Sequence, residues 1–139
     1  MKNVTLRIED ALYEEMSKNE GISFNEQINA SLRKLSAIEK ASMNELRGRF
    51  AAPEWKAIVD CLNGVYTKDE AFRYSPDVLI ANLEDGDLYE GFGEKWEIDI
   101  ESLCGKIKLL SAAQIDALYS RVEKFWDHPN TDLDAWAQF

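Results

Sequence analysis

The chain begins with a short alternating segment followed directly by two compact helical patterns, and this order restricts the folds open to it. The segment alternates between apolar residues, Val4, Leu6 and Ile8, and polar residues, Asn3, Thr5 and Arg7. Side chains of a strand point to opposite faces in turn, so the pattern predicts a β-strand with one apolar and one polar face. The sequence offers no convincing second strand nearby, and a lone strand leaves its backbone groups unpaired. We therefore expect it to pair with the same strand of a second copy, as an antiparallel ribbon in a dimer.

Two helices are predicted behind this strand. Asp10 is a suitable N-cap for a helix of about eleven residues, and Gly21 supplies the left-handed residue that ends it. Ser23 and Glu26 have the spacing of a capping box at the start of a second helix. The apolar residues of that helix follow helical spacing, namely Phe24, Ile28, Leu32, Leu35 and Ile38. A unit of about 45 residues buries too little to be secure as a monomer, which also favours a dimer.

The strand, the helix ending at Gly21 and the helix start at residues 21–25 together resemble the ribbon-helix-helix DNA-binding family, most closely its Arc-type phage repressors. The resemblance covers roughly residues 1–45. It implies a mainly α fold in which one strand pairs across a dimer and two helices follow. It also implies that the outward strand residues read bases in the DNA major groove, while the second helix holds a phosphate at its N-terminus. The implied base contacts are Asn3, Thr5 and Arg7, and the implied phosphate contacts are Ser23, Phe24 and Asn25.

Charge separates the two ends of the chain. The first 40 residues hold six basic and seven acidic residues, so they are close to neutral, and we expect modest DNA affinity with a shallow salt dependence. The remaining residues carry nine of the ten net negative charges. An acidic part of this kind should be repelled by DNA and is suited to oligomerisation or to binding a protein partner.

An ordinary edge strand in an α+β fold is the alternative to the ribbon.

A domain boundary is predicted around residues 44–53, which separates a ribbon-helix-helix domain at residues 1–45 from a small acidic helical domain at residues 50–139. About four helices are expected in the second domain, and their predicted starts are Pro53, Ser75, Asp99 and Ser111. The predicted ends include Asn63-Gly64 for the first of them and His128-Pro129 for the last.

Residues 84–99 contain several glycines and acidic residues with little helical periodicity, so we interpret them mainly as an acidic loop. Their spacing does not match the twelve-residue calcium loop, and no metal site is predicted there. The aromatic residues Tyr89, Phe92 and Trp96 either pack back onto the helices or form a partner surface.

The residues that usually carry catalysis or bind metals are sparse. Cys61 and Cys104 are far apart with no CxxC motif, so buried free thiols are expected and zinc is not. The single histidine, His128, stands at a predicted helix end, and no nucleophile motif or glycine-rich phosphate loop appears. We expect no enzyme activity and no cofactor. The absence of a secretory pattern and of an apolar run near ~20 residues predicts a cytoplasmic protein without a membrane segment.

Two functions are compatible with these patterns. The first is a dimeric, sequence-specific DNA-binding repressor of phage or bacterial type, in which the ribbon reads a double-stranded operator and the acidic domain adds partner control or higher oligomerisation. The second is a protein-binding inhibitor, such as an antitoxin or a phage-encoded inhibitor of a host nucleic-acid-binding protein. In that case residues 50–139 bind the target and the N-terminal part mainly dimerises. The two functions can coexist in one protein.

Overall fold

The computed structural model describes residues 5–65 and 75–139, with side chains at 5–62 and 75–139. The helices of these ranges are α1 (Asp10–Ser17), α2 (Phe24–Leu46), α3 (Ala52–Val65), α4 (Pro76–Glu90), α5 (Phe92–Trp96), α6 (Ile100–Lys108), α7 (Ala112–Trp126) and α8 (Leu133–Trp136). The chain divides into two compact units, Met1–Ala37 and Ile38–Phe139, and the division falls within α2. None of the helices in the described ranges combines the length and apolarity needed to cross a membrane.

The predicted ribbon-helix-helix fold class is wrong, because the described residues contain helices and no strand. Residues 5–8 of the predicted strand are irregular and lead through Glu9 into α1, while Asn3 and Val4 lie outside the described residues. Three alternating apolar residues specify a strand only when a neighbouring strand accepts its backbone hydrogen bonds, and the described part of the chain offers none. The β-ribbon and the alternative of an edge strand in an α+β fold are therefore corrected to a helical fold over these ranges.

The first unit is a pair of helices joined by a turn. α1 spans eight residues with Glu9 as its N-cap, so it is shorter than predicted and begins at Asp10 itself. Gly21 lies in the turn with φ of 82°, a conformation that favours glycine. The predicted capping box at Ser23 is confirmed, since the Glu26 backbone N–H donates to Ser23 Oγ at 3.2 Å and the Ser23 N–H donates to Glu26 Oε2 at 3.0 Å. The hydrogen bonds that the Ser23 backbone N–H and hydroxyl donate to the Glu26 carboxylate hold the pKa of this carboxyl below its ordinary value.

Few contacts hold α1 to α2. The Tyr13 and Phe24 rings stack with centroids 4.9 Å apart. The side-chain amide of Gln27 donates to the backbone carbonyls of Met16 and Ile22, each at 3.1 Å. Among residues 5–37 no residue is buried, so this helix pair has no core of its own.

The second unit has a continuous apolar core. Its fully buried side chains come from the end of α2 and from α3, α4, α6 and α7, and include Leu46, Ile58, Leu79, Leu83, Leu103, Ile107 and Leu118. The C-terminal half of α2 is held to α7 by polar bonds within this unit. Glu39 accepts hydrogen bonds from Ser120 and Lys124, and Glu45 accepts one from the Gln114 amide at 2.7 Å. The bond from Lys124 is the largest cause of a lowered pKa at the Glu39 carboxyl.

Trp55 of α3 is the centre of an aromatic cluster in this unit. Its side chain is fully buried and meets the rings of Phe50, Trp136 and Phe139 edge-on, with centroids 5.1, 5.6 and 6.0 Å apart. The Arg121 guanidinium lies 3.7 Å from the Phe139 ring centroid and donates to the Trp136 carbonyl. Burial among these rings lowers the pKa of Arg121 to about 10. The cluster fastens α8 and the residues after it to α3 and α7.

Most predicted helix starts of the second unit are confirmed. Ser111 forms a capping box with Gln114, and Asp99 caps α6 by accepting from the Ser102 N–H at 3.1 Å. Ser75 is the N-cap of α4, with a proline following it as predicted. Pro53 lies in the first turn of α3, but α3 does not end at Asn63-Gly64 and continues to Val65.

The predicted acidic loop at residues 84–99 is wrong, because α4 extends to Glu90 and α5 covers Phe92–Trp96. Gly91 separates the two helices with φ of 66°, whereas Gly86 is an interior residue of α4. A Cβ at Gly86 would stand 2.6 Å from the ring of Phe92, so this glycine admits an aromatic ring and does not mark a turn. The expectation of about four helices is also corrected, since α3 to α8 all follow residue 50.

Candidate functional site

The predicted base-contacting residues do not form a reading surface in the described chain. Thr5 and Arg7 are exposed in the irregular segment before α1, and Asn3 lies outside the described residues. Without a strand, nothing fixes their side chains on a common face. Their assignment to DNA bases stays a prediction.

The predicted phosphate-contacting residues lie together at the start of α2. Ser23 directs both its backbone N–H and its hydroxyl to the Glu26 carboxylate, each at 3.0 Å. Phe24 stacks on Tyr13, and Asn25 is exposed. The Glu26 carboxylate therefore already accepts hydrogen bonds from donors at this helix N-terminus, and its charge would repel a phosphate.

The three aromatic residues of the predicted partner surface are separated by the fold. Tyr89 is 79% exposed, whereas Phe92 is 3% exposed and belongs to the core. Trp96 is half-buried, and its indole N–H donates to Asp60 Oδ2 at 3.2 Å. Tyr89 alone of the three is available to a partner.

The most prominent exposed surface of α2 is an apolar row, which we call the α2 stripe and define as Ile28, Leu32, Leu35 and Ile38. Steps of four, three and three residues place these side chains on one helix face. Leu32, Leu35 and Ile38 are 56%, 62% and 43% exposed. Every residue from 29 to 41 is exposed, so about 20 Å of helix carries an apolar row without cover.

Further apolar side chains are exposed near the stripe in sequence. Seven of the ten large apolar side chains exposed in the described residues lie within residues 6–38, the others being Leu88, Tyr89 and Leu109. Scattered exposed leucines are ordinary on protein surfaces, but here no residue from 5 to 37 is buried. A helix pair with so few internal contacts gains little stability from its own packing.

Most charges of α2 are kept away from the stripe. Glu26, Arg33 and Lys40 recur every seven residues and fall on the opposite face of the helix. Lys34 lies about a quarter turn from the centre of the stripe at about 100° per residue. Apart from Lys34 and Glu39, the positions that flank the stripe are uncharged and include Asn25, Asn29, Ser31 and Ser36.

Glu39 is the charged residue on the same face as the stripe, at its C-terminal end and four residues after Leu35. Its carboxylate already accepts hydrogen bonds from Ser120 and Lys124 within the second unit, so its charge is compensated there. Over residues 1–37 the first unit holds five basic and six acidic residues, and its net charge is therefore close to zero.

No protein-family model, curated protein or solved structure matches this chain. Functional inference therefore rests on the surfaces of the two units. In the described ranges no group of three or more histidine, cysteine or acidic side chains is placed to hold a metal ion.

The two cysteines are free and buried, as the sequence predicts. Burial raises the pKa of the Cys61 thiol to about 12, and the negative charge of Asp60 adds to this effect. Burial also raises the pKa of the Cys104 thiol, and it raises the pKa of Tyr119 to about 12. Each of these three groups therefore ionises at a higher pH in the folded protein than in the unfolded chain.

Raising the pH above 9 is expected to destabilise the second unit. The pKa of Cys61 is higher in the folded protein than in the unfolded chain. Its contribution to the free energy of unfolding is therefore complete below the unfolded pKa, and it is lost as the pH rises towards the folded pKa of about 12. Between pH 9 and 10 this thiol alone should remove about 1 kcal/mol from the free energy of unfolding. The lowered pKa of Arg121 has the opposite effect, because it increases the free energy of unfolding as the pH rises, but only above about pH 10.

The measurement is urea unfolding followed by far-UV circular dichroism at pH 8, 9 and 10. Cys61→Ala is the comparison variant, and its stability should fall less steeply over this range. An equal fall in the native protein and in this variant would contradict the assignment of the effect to Cys61.

Proposed function

We propose that the protein is a homodimeric protein-binding module, in which the first unit self-associates through the α2 stripe and the acidic second unit binds a protein target. The observation that carries the proposal is an exposed apolar stripe on α2, together with the lack of any buried residue between positions 5 and 37. Burial of such a stripe is favourable in water, so a stable form of this unit includes something that covers it. The module needs no catalytic residue or cofactor.

Charge favours a second copy of the chain as the cover. The stripe itself is uncharged, Lys34 lies about a quarter turn from it, and the unit is close to neutral. Glu39 lies on the stripe's face, but its charge is already compensated by Lys124, so nucleic acid or a strongly charged protein would find little opposite charge on this face to offset its own desolvation. A second copy brings an equally uncharged face.

Geometry also favours a second copy. Leu35 is central to the exposed range 29–41 and is the most exposed member of the stripe. A two-fold axis beside Leu35 brings this residue against Leu35 of the second copy, and in the antiparallel arrangement Leu32 meets Ile38. The surface is therefore complementary to itself, as a two-fold interface requires.

The amount of exposed apolar surface suits a small dimer. Seven large side chains, most of them about half exposed, present on the order of 600 Å² of apolar surface, against about 800 Å² per partner in a standard interface. The acidic unit, which carries most of the net charge, stays available for a target.

Sedimentation equilibrium of the full chain over a range of concentrations tests the proposal. The native protein should sediment as a dimer, and Leu35→Asp should associate at least about 100-fold more weakly, because two buried leucines are lost and two carboxylates are placed in the interface. Arg33→Asp is the matched control, since it introduces the same side chain on the opposite face of α2. A monomeric native protein, or a Leu35→Asp variant that still dimerises, would overturn the proposal.

A further inference from the structure

A groove runs between α4 and α6 on the second unit. Its volume is about 650 Å³, which lies within the range of sites that hold small ligands or single side chains of a partner. Both helices belong to the same compact unit and contribute to the lining. The groove is therefore a fixed feature of the acidic half of the protein.

Carboxylates from both helices line the groove. α4 contributes Glu84 and Asp87, and α6 contributes Glu101. Asp87 is oriented by the Gly93 N–H, which donates to Asp87 Oδ1 at 2.8 Å. Within the described residues neither Glu84 nor Glu101 forms an ion pair. Among the described residues of the lining, Lys108 is the single cationic side chain, so the charge they give the groove is negative.

Apolar surface accompanies these carboxylates. Leu88 of α4 lines the groove and is 74% exposed, and Ile100 of α6 lines it with 8% exposure. Tyr89, next to Leu88 in sequence, is 79% exposed. A surface that combines an exposed leucine with several carboxylates fits a side chain that has an apolar stem and a cationic head. Lysine and arginine have this construction.

We propose that this groove binds a basic segment of a protein target, with the stem of an arginine or lysine against Leu88 and its charged head among Glu84, Asp87 and Glu101. This inference rests on the proposed function, because it names the place on the acidic unit where the target binds. The net negative charge of the unit attracts such a segment from a distance and raises its rate of association at low salt. Arginine is favoured over lysine, because its planar head can bond to more than one carboxylate at once.

The test is an NMR titration of the ¹⁵N-labelled full chain with a nine-residue peptide of alternating arginine and leucine. Shift changes should concentrate on residues 84–88 and 100–108. A peptide in which glutamate replaces arginine should produce none. Absence of binding up to millimolar peptide, or shifts spread evenly over the chain, would overturn the proposal.

Charge-reversal variants separate a specific site from general attraction. Glu84→Lys combined with Glu101→Lys should weaken binding of the arginine peptide by about tenfold or more. Asp116→Lys combined with Asp127→Lys changes the net charge equally at exposed positions of α7 and just after it, and should change binding less than threefold. Equal weakening by both pairs would show general charge attraction and would contradict the groove.

The result is independent of self-association. Leu35→Asp should bind the arginine peptide with unchanged affinity per chain, because the groove lies on the second unit. A native protein that is monomeric but binds the peptide would contradict the first part of the proposed function alone. Intact dimers without peptide binding would contradict the groove alone.

Discussion

Replacing Trp55 with alanine is expected to lower the free energy of unfolding of the second unit by about 4 kcal/mol, near the upper end of large-to-small core substitutions. The Trp55 side chain is fully buried and meets three aromatic rings, including those of Trp136 and Phe139. The Arg121 guanidinium lies 5.1 Å from its ring. Removing the indole therefore leaves a cavity and removes the ring contacts that pack α8 against α3. Urea unfolding followed by circular dichroism measures the change.

Two comparison variants sharpen this prediction. Leu109→Ala removes a side chain that is 78% exposed and should change the free energy of unfolding by less than about 0.5 kcal/mol. Trp55→Phe should cost much less than Trp55→Ala, because the buried indole N–H of Trp55 has no hydrogen-bond partner to lose. A change of under about 1 kcal/mol for Trp55→Ala would contradict the central place of this ring in the core.

Replacing Lys106 with methionine is expected to cost about 3 kcal/mol, because it leaves a buried carboxylate without its cation. The Lys106 ammonium donates to both oxygens of Glu54, at 2.7 and 2.8 Å. Glu54 is 7% exposed and also accepts from the Ala51 N–H at 2.7 Å. The pair joins α6 to the first turn of α3. Methionine keeps the unbranched apolar part of the side chain and removes the terminal ammonium with its charge and hydrogen bonds.

Lys108→Met is the matched control for this change. It lies on the same helix, is exposed, and forms no ion pair within the described ranges. The free energy of unfolding of the Lys108→Met variant should stay within about 0.5 kcal/mol of the native value. If both methionine variants unfold at the same urea concentration, the Glu54 pair does not stabilise the unit.

Local sequence signals predicted the helix starts well. Capping at Ser23, Asp99 and Ser111 depends on hydrogen bonds to residues three positions away, so it can be derived from spacing alone. The strand prediction failed because a strand depends on a distant partner that no local pattern specifies. The loop prediction at residues 84–99 failed because Gly86 serves a contact with Phe92, which only the packed structure reveals.

The candidate surfaces were partly predictable. Helical spacing correctly grouped Leu32, Leu35 and Ile38 on one face of α2, but periodicity states which residues share a face and not what covers them. The groove was missed because Glu84 and Asp87 fell in the segment interpreted as a loop. Glu84, Asp87 and Leu88 follow the i, i+3, i+4 spacing of a helix face. The nearby glycines nevertheless led to the loop prediction. The aromatic residues Phe92 and Trp96 were grouped with Tyr89 by sequence proximity, which says little about exposure.

Amide hydrogen exchange of residues 29–37 at two protein concentrations tests most directly whether a second copy supplies the missing core of the first unit. These amides lie on the part of α2 where every side chain is exposed in the single chain. We predict slow exchange at high concentration that becomes fast on dilution, and fast exchange at both concentrations in Leu35→Asp. Slow exchange that does not depend on concentration would show that one chain stabilises this helix alone, and would contradict the account.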